Sequence, residues 1–166
     1  MSRLTQAIAT FGYVGHLRPA PGTWGSLAAL PVGWVLHAIG GTPLLLLGIV
    51  AAFTSGWWAT SLETKGKEDR DPSEIVIDEV AGQWIAILPL SLGASHVNAD
   101  ILSLWPGWIS AFLLFRLFDI LKPGPIGWAD RRGDALGVML DDVIAGLFAA
   151  IGVALLAGAA HGILAL

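Results

Sequence analysis

From residue 135 to residue 160 the chain carries only two charged side chains, Asp141 and Asp142, side by side in an otherwise apolar run. A run of this length reads as a membrane-crossing helix, which needs about 20 apolar residues at about 1.5 Å of rise each. A carboxylate carried toward the middle of a bilayer costs about 2.5–3.5 kcal/mol on insertion scales. Two adjacent carboxylates also repel each other. The pair therefore demands a partner, an ion or water, and a bound divalent cation would relieve both costs.

The rest of the chain fits an integral membrane protein. Apolar residues make up 55% of its 166 positions, and the mean hydropathy of +0.70 lies above the range of ordinary soluble chains. There is no cysteine, which excludes disulfides, thiolate metal sites and a cysteine nucleophile. The net charge of −4, with no polybasic tract, gives no reason to expect a nucleic-acid partner. The first long apolar run follows a Pro/Gly-rich stretch and does not resemble a cleaved signal peptide, so residues 1–166 are expected to form one mature domain.

Hydropathy and breaker residues divide the chain. A short helix is expected over 4–9, then a loop through the prolines and glycines of 19–25. The apolar stretch 24–39 would reach only roughly 24 Å as a helix, enough to cross a thinned bilayer or to re-enter it. Gly40-Gly-Thr-Pro43 reads as a turn, and 44–62 as a spanning helix with Trp57 and Trp58 as interfacial anchors. A charged, solvated loop over 63–73 leads to an apolar segment, 75–92, with Asp78, Glu79 and Gln83 near its start. Residues 93–108 read as a weakly polar turn region, 109–121 as a helix, 126–134 as a second charged loop and 135–160 as the last long helix. All nine basic residues lie before 19, within 65–70 or within 116–132, and none lies in the turns at 37–43 and 93–108. The positive-inside rule then places the basic segments in the cytoplasm and gives about five crossings. The expected fold is an all-α polytopic membrane bundle of about five embedded helices, with short N-terminal and loop helices and an active site on the cytoplasmic face.

That topology gathers residues 19–26, 71–83, 116–125 and 130–146 at one face. Asp78, Glu79, Asp119, Asp141 and Asp142 all come from helix ends there. Asp141 would lie roughly 9 Å into its helix, at headgroup level. Arg116, Asp119 and Lys122 recur every third residue and share a slowly turning face. Small residues follow each acidic pair, Val80-Ala-Gly82 and Val143-Ile-Ala-Gly146, and would let two helices approach closely. Oxygen-only ligands suit a hard ion, Mg²⁺ above all, together with substrate phosphate. The loop from Ala20 to Ser26 offers backbone N–H groups and hydroxyls where an anion is favoured. Arg116 with Asp119 reads equally well as a structural ion pair. His16 reads as a solvated loop residue, and His37, His96 and His161 lie toward the opposite face without an assigned role.

An acid cluster with two cations at a membrane rim points to phosphate chemistry on a lipid or a nucleotide-linked lipid. No P-loop is present, and no histidine sits among the basic residues for a phosphohistidine route. Phe11-Gly, Ala20-Pro-Gly-Thr-Trp-Gly-Ser26, Asp71-Pro-Ser-Glu-Ile-Val-Ile-Asp-Glu-Val-Ala-Gly-Gln83, Phe115-Arg-Leu-Phe-Asp-Ile-Leu-Lys-Pro-Gly-Pro-Ile126, Asp130-Arg131 and Met139-Leu-Asp-Asp-Val-Ile-Ala-Gly146 occur in that order. Together they resemble the phosphatidylglycerophosphatase A family. The chain departs from that family's usual pattern at Gly124 and across Arg132-Gly-Asp-Ala135.

The resemblance implies Mg²⁺-dependent removal of the terminal phosphate from phosphatidylglycerophosphate, in the inner membrane of a bacterium, by a bundle in which one central helix is surrounded by others. On the mechanism expected here, Asp78, Glu79, Asp141 and Asp142 hold the metal. Asp119 would be a further ligand or the base that orients water, with Asp142 also in the catalytic set. Arg116 and Lys122 would neutralise phosphate, with Thr23, Ser26 and Arg131 helping to bind the substrate. Membrane lipid is the only other partner expected, and oligomeric state is left open. Two competing readings remain: a small membrane transporter, and another lipid-phosphate enzyme using the same carboxylates. The transferases that build phospholipids carry an Asp-Gly-x2-Ala-Arg signature that is absent here.

Overall fold

The computed structural model describes residues 2–164, with side chains through 160, so the side chain of His161 lies outside the described residues. The described chain is helical and contains no strand. In order, α1 is Arg3–Ala9, α2 Pro21–Glu63, α3 Ile77–Ala86, α4 Leu88–Val97, α5 Trp105–Leu121, α6 Pro125–Asp130 and α7 Ala135–Leu164. Four regions are long and apolar enough to cross a membrane: α2, 77–97, 101–121 and 135–160.

The expected turn at Gly40-Gly41 is present as a break inside α2. Gly40 has φ −140° and ψ 16°, and Gly41 has φ 61° and ψ −158°, a left-handed φ paired with an extended ψ that only glycine takes without strain. The arms 21–39 and 42–63 fold against each other, because a Cβ on Gly48 would lie 2.7 Å from Leu36. Both arms also pack on α3. Gly22 lies against Glu79 and Gly33 against Ile87, so the first arm runs with α3, whereas Gly48 meets Trp84 and Gly56 meets Ile77, so the second arm runs against it.

Nine of the ten residues of α3 are buried, which makes it the centre of the bundle. Trp84 fixes its depth, donating from Nε1 to the Ala29 carbonyl at 2.8 Å. On its other side α7 approaches to backbone contact, with Gly146 against the Gly82 carbonyl. α5 closes the bundle antiparallel to α7, with Leu114 on Gly152 and Phe118 edge-on to Phe148 at 5.7 Å. The outward faces of α5 and α7 expose Leu113, Leu117, Leu147, Ile151 and Leu155, an apolar surface suited to lipid. Six of the eight tryptophans are exposed, Trp57 and Trp58 among them, while Trp84 is core.

Three loop expectations are corrected. Residues 93–108 are mostly helix: α4 runs on to Val97, one 3₁₀ turn covers Ile101–Leu104, and α5 begins at Trp105. The charged loop after Lys122 contains α6, and the Pro/Gly loop gives way to helix already at Pro21. The common reason is proline placement. Pro21, Pro89, Pro106 and Pro125 all sit in a first helical turn, where the missing N–H costs nothing and the fixed φ favours the helix. Glu63, expected in a solvated loop, is instead buried at the end of α2 and accepts a 2.5 Å hydrogen bond from Thr5, which docks α1. Lys65 to Arg70 are exposed, as expected.

Candidate active site

These directions put the start of α2, the start of α3, the end of α5 and the start of α7 at one end of the bundle. A cavity of about 380 Å³ opens there. Its walls carry six acids, Asp71, Asp78, Glu79, Asp119, Asp141 and Asp142, and two cations, Arg116 and Lys122. Ala20, Pro21 and Gly22 complete one side. A Cβ on Gly22 would crowd the Glu79 carboxylate and stand 3.2 Å from the Arg116 guanidinium.

Asp78 and Glu79, in the first turn of α3, meet Asp142 of α7, with one carboxylate oxygen from each lying within 4.8 Å of the others. Asp78 and Asp142 are buried. Asp78 Oδ1 accepts from the Glu79 backbone N–H at 3.0 Å, but buried Glu79 Oε2 has no protein partner. An acidic group of hard oxygens with an unsatisfied buried atom fits a hard divalent cation. The Gly82–Gly146 contact makes the cluster possible, because it lets the two helix backbones touch one turn beyond the acids.

Arg116 lies beside this group. Its guanidinium reaches Asp119 at 2.5 Å and Glu79 at 3.9 Å, and donates over 3.4 Å to Ser26 Oγ. Ser26 is fully buried and itself donates to the Gly22 carbonyl at 2.9 Å. The Arg116–Asp119 relation expected from their spacing is therefore present as an ion pair.

Lys122 reaches the cavity by a different route from the helical face expected. It caps α5 in the left-handed region, φ 45° and ψ 51°, where glycine is the usual residue. From there its ammonium contacts Asp130 and donates to Asp141 Oδ2 at 2.8 Å. Loss of water alone would lower the Lys122 pKa, but its hydrogen bonds to Asp130 and Asp141 outweigh this and raise it above the ordinary lysine value. The cation and its stabilising contribution persist through neutral pH and are lost only as pH rises past the lysine range. Lys122→Met strands Asp141 and Asp130, and is expected to lower unfolding stability by about 1–3 kcal/mol, read by thermal or denaturant unfolding in detergent.

Asp141 therefore lies outside the group of three, with Oδ2 on Lys122 and Oδ1 accepting from the Asp142 backbone N–H at 3.0 Å. Thr23, Ser26 and Arg131 do not line the cavity. His16 is exposed and stacks on Tyr13, while His37 bonds Ser91 at 2.8 Å in the other half of the bundle. Three participants were not singled out from sequence: Asp71 and Ser73 in the wall, and Asp130 on Lys122. Asp71 is solvent-touching at the mouth, yet the protein around it strips enough water to raise its carboxyl above the usual value, against the pull of Lys122 and with the push of Asp130. Only the Asp71-Pro-Ser and Asp130-Arg motifs marked these positions, because no periodicity aims a loop residue. Gly124, one departure from the familiar pattern, has φ 53° and ψ −113° and turns the chain from Lys122 into α6.

The family model for phosphatidylglycerophosphatase A matches residues 7–157. The chain is 38% identical over 139 residues to phosphatidylglycerophosphatase A of Haemophilus influenzae, covering 82% of this chain and 78% of that protein. It is 34% identical over 142 residues to phosphatidylglycerophosphatase A of Escherichia coli, covering 84% and 76%. A Bacteroides thetaiotaomicron protein provisionally named a phosphatidylinositol-3-phosphatase is 36% identical over 138 residues, 80% of each chain. No solved structure matches the chain. A model match through every wall of the cavity, together with relatives of this identity and coverage, shows that the chain belongs to the phosphatidylglycerophosphatase A family.

Proposed function

We propose that the protein is a Mg²⁺-dependent lipid phosphatase that hydrolyses phosphatidylglycerophosphate to phosphatidylglycerol and phosphate. The observation that carries this reading is the convergence of Asp78, Glu79 and Asp142 beside Arg116 and Lys122 at one end of an apolar bundle. The names of the Haemophilus and Escherichia relatives supply the substrate. With the distribution of basic residues, the reading puts the cavity at the cytoplasmic face of a bacterial inner membrane, the whole chain acting as one unit.

Asp78, Glu79 and Asp142 would hold the ion. When bound, Mg²⁺ supplies positive charge and Lewis acidity against the phosphate oxygens. Arg116, aligned by Asp119 and Ser26, neutralises the phosphomonoester from one side. Lys122, held by Asp141 and Asp130, does so from another. The first turn of α2, whose Gly22 is in the wall, supports the same phosphate through its free N–H groups, with Thr23 contributing its backbone N–H from outside the wall. Asp119 orients the attacking water, and Arg131 adds positive charge outside the wall. A phosphate dianion in this cavity would otherwise face six acids, so both cations and the ion are needed to admit it.

The test is phosphate release from phosphatidylglycerophosphate by purified protein in mixed micelles. Release that requires Mg²⁺, stops with a chelator and returns on adding Mg²⁺ is the expected result. No release under any divalent ion overturns the reading and returns the choice to a transporter or another lipid-phosphate enzyme.

A further inference from the structure

A phosphatidylglycerophosphate headgroup has two phosphates: the terminal monoester that is cleaved and, three glycerol carbons away, the diester that joins it to diacylglycerol. The residues described so far account only for the monoester. Both cations of the cavity wall are already committed, Arg116 to Asp119 and Lys122 to Asp130 and Asp141. The diester, held back by the glycerol linker, must stop near the mouth.

At that mouth Ser73 lines the cavity, and its Oγ accepts a 3.0 Å hydrogen bond from the Arg18 guanidinium. Arg18 is exposed and, among the described residues, has no carboxylate within ion-pair distance. Two residues further on, Ala20 begins the cavity wall that continues through Pro21 and Gly22. The segment is held in place. Gly15 packs directly on the Glu74 backbone, the Val76 N–H donates to the Ala9 carbonyl at 2.9 Å, and the Leu17 N–H donates to Val14 at 2.9 Å. Arg18 and Ser73 thus come from two segments fastened to each other, and the guanidinium has donors to spare beyond the serine.

Resting on the proposed function, we infer that Arg18 is a specificity-determining residue that binds the internal diester phosphate of the substrate, with Ser73 aiming its guanidinium across the mouth. A planar guanidinium matches two phosphate oxygens at once. Arg131, another arginine without an ion pair, lies against Gly127 and, among the described residues, bonds no residue of the cavity wall as Arg18 does through Ser73, so it does not compete for this role. Arg70 is turned back on its own loop, donating to the Thr64 carbonyl at 3.2 Å, and bonds no residue of the wall.

The experiment compares the full-length protein with R18Q and R18K. Calorimetric titration measures binding of two short-chain lipids, phosphatidylglycerol with a diester alone and phosphatidic acid with a monoester alone. R18Q is expected to weaken phosphatidylglycerol binding by about tenfold, the scale of one charge-assisted contact, and to leave phosphatidic acid unchanged. With phosphatidylglycerophosphate as substrate, the loss should appear in KM and not in kcat, and R18K, which keeps the charge but not the planar fork, should recover only part of it. Equal weakening of both lipids, or no change in either, overturns the inference. A wild-type protein that releases no phosphate overturns the proposed function instead, and the titrations still decide the role of Arg18.

Discussion

Asp142→Asn is expected to reduce phosphate release by about 10³-fold, the upper range for losing one preorganised electrostatic group, while leaving the bundle intact. Asp142 is buried and shares its space with Asp78 and Glu79. An amide in its place removes one negative charge from a crowded acidic group, so without metal the variant should unfold at the wild-type temperature or slightly above it. A ligand that binds only the folded state stabilises by RT ln(1 + [L]/Kd), so Mg²⁺ should raise the unfolding temperature of the wild type and raise that of the variant much less. The two measurements together separate loss of the ion from loss of the fold. A variant that keeps both its activity and its Mg²⁺-dependent stabilisation would remove Asp142 from the metal site.

The second large effect is expected at Gly82. A Cβ there would stand 2.6 Å from the Asp142 carbonyl oxygen and 2.5 Å from Phe115. Backbone cannot rotate aside as a flexible side chain can, so Gly82→Val must push α3 and α7 apart. Overpacking of this kind costs about 1–3 kcal/mol, occasionally more. The catalytic cost should be larger than the stability cost. Asp142 is itself the backbone contacted and Asp78 lies one turn away on α3, and a displacement of about 1 Å in a reacting geometry can cost about 10²-fold. Gly158→Ala, on α7 with nothing within 4 Å of its Cβ, should change neither. Wild-type activity in Gly82→Val would show that the acidic group does not depend on this close approach.

Much of the site was legible because its physics is linear along the chain. Apolar runs marked the helices, the double glycine at 40–41 marked the break, and the basic residues marked which ends lie together. The acids at 78–79 and 141–142 were conspicuous because charge is costly beside apolar neighbours. Their small-residue partners, Gly82 and Gly146, foretold the close contact that joins them.

What stayed hidden depends on direction in three dimensions. Asp141 and Asp142 are adjacent in sequence, but neighbours on a helix point about 100° apart. Packing turned Asp142 toward Asp78 and Glu79, and Asp141 toward Lys122. Lys122 entered the site through a left-handed cap that no period predicts. Glu63 was drawn inside by Thr5, a partner 58 residues away. By itself the sequence determined a bundle of helices long and apolar enough to cross a membrane, with its acids at one end, because hydrophobic length and the cost of charge act locally. Only the tertiary structure decided which acids converge on one another and which hold a cation, because that depends on how helices distant in sequence are rotated against one another.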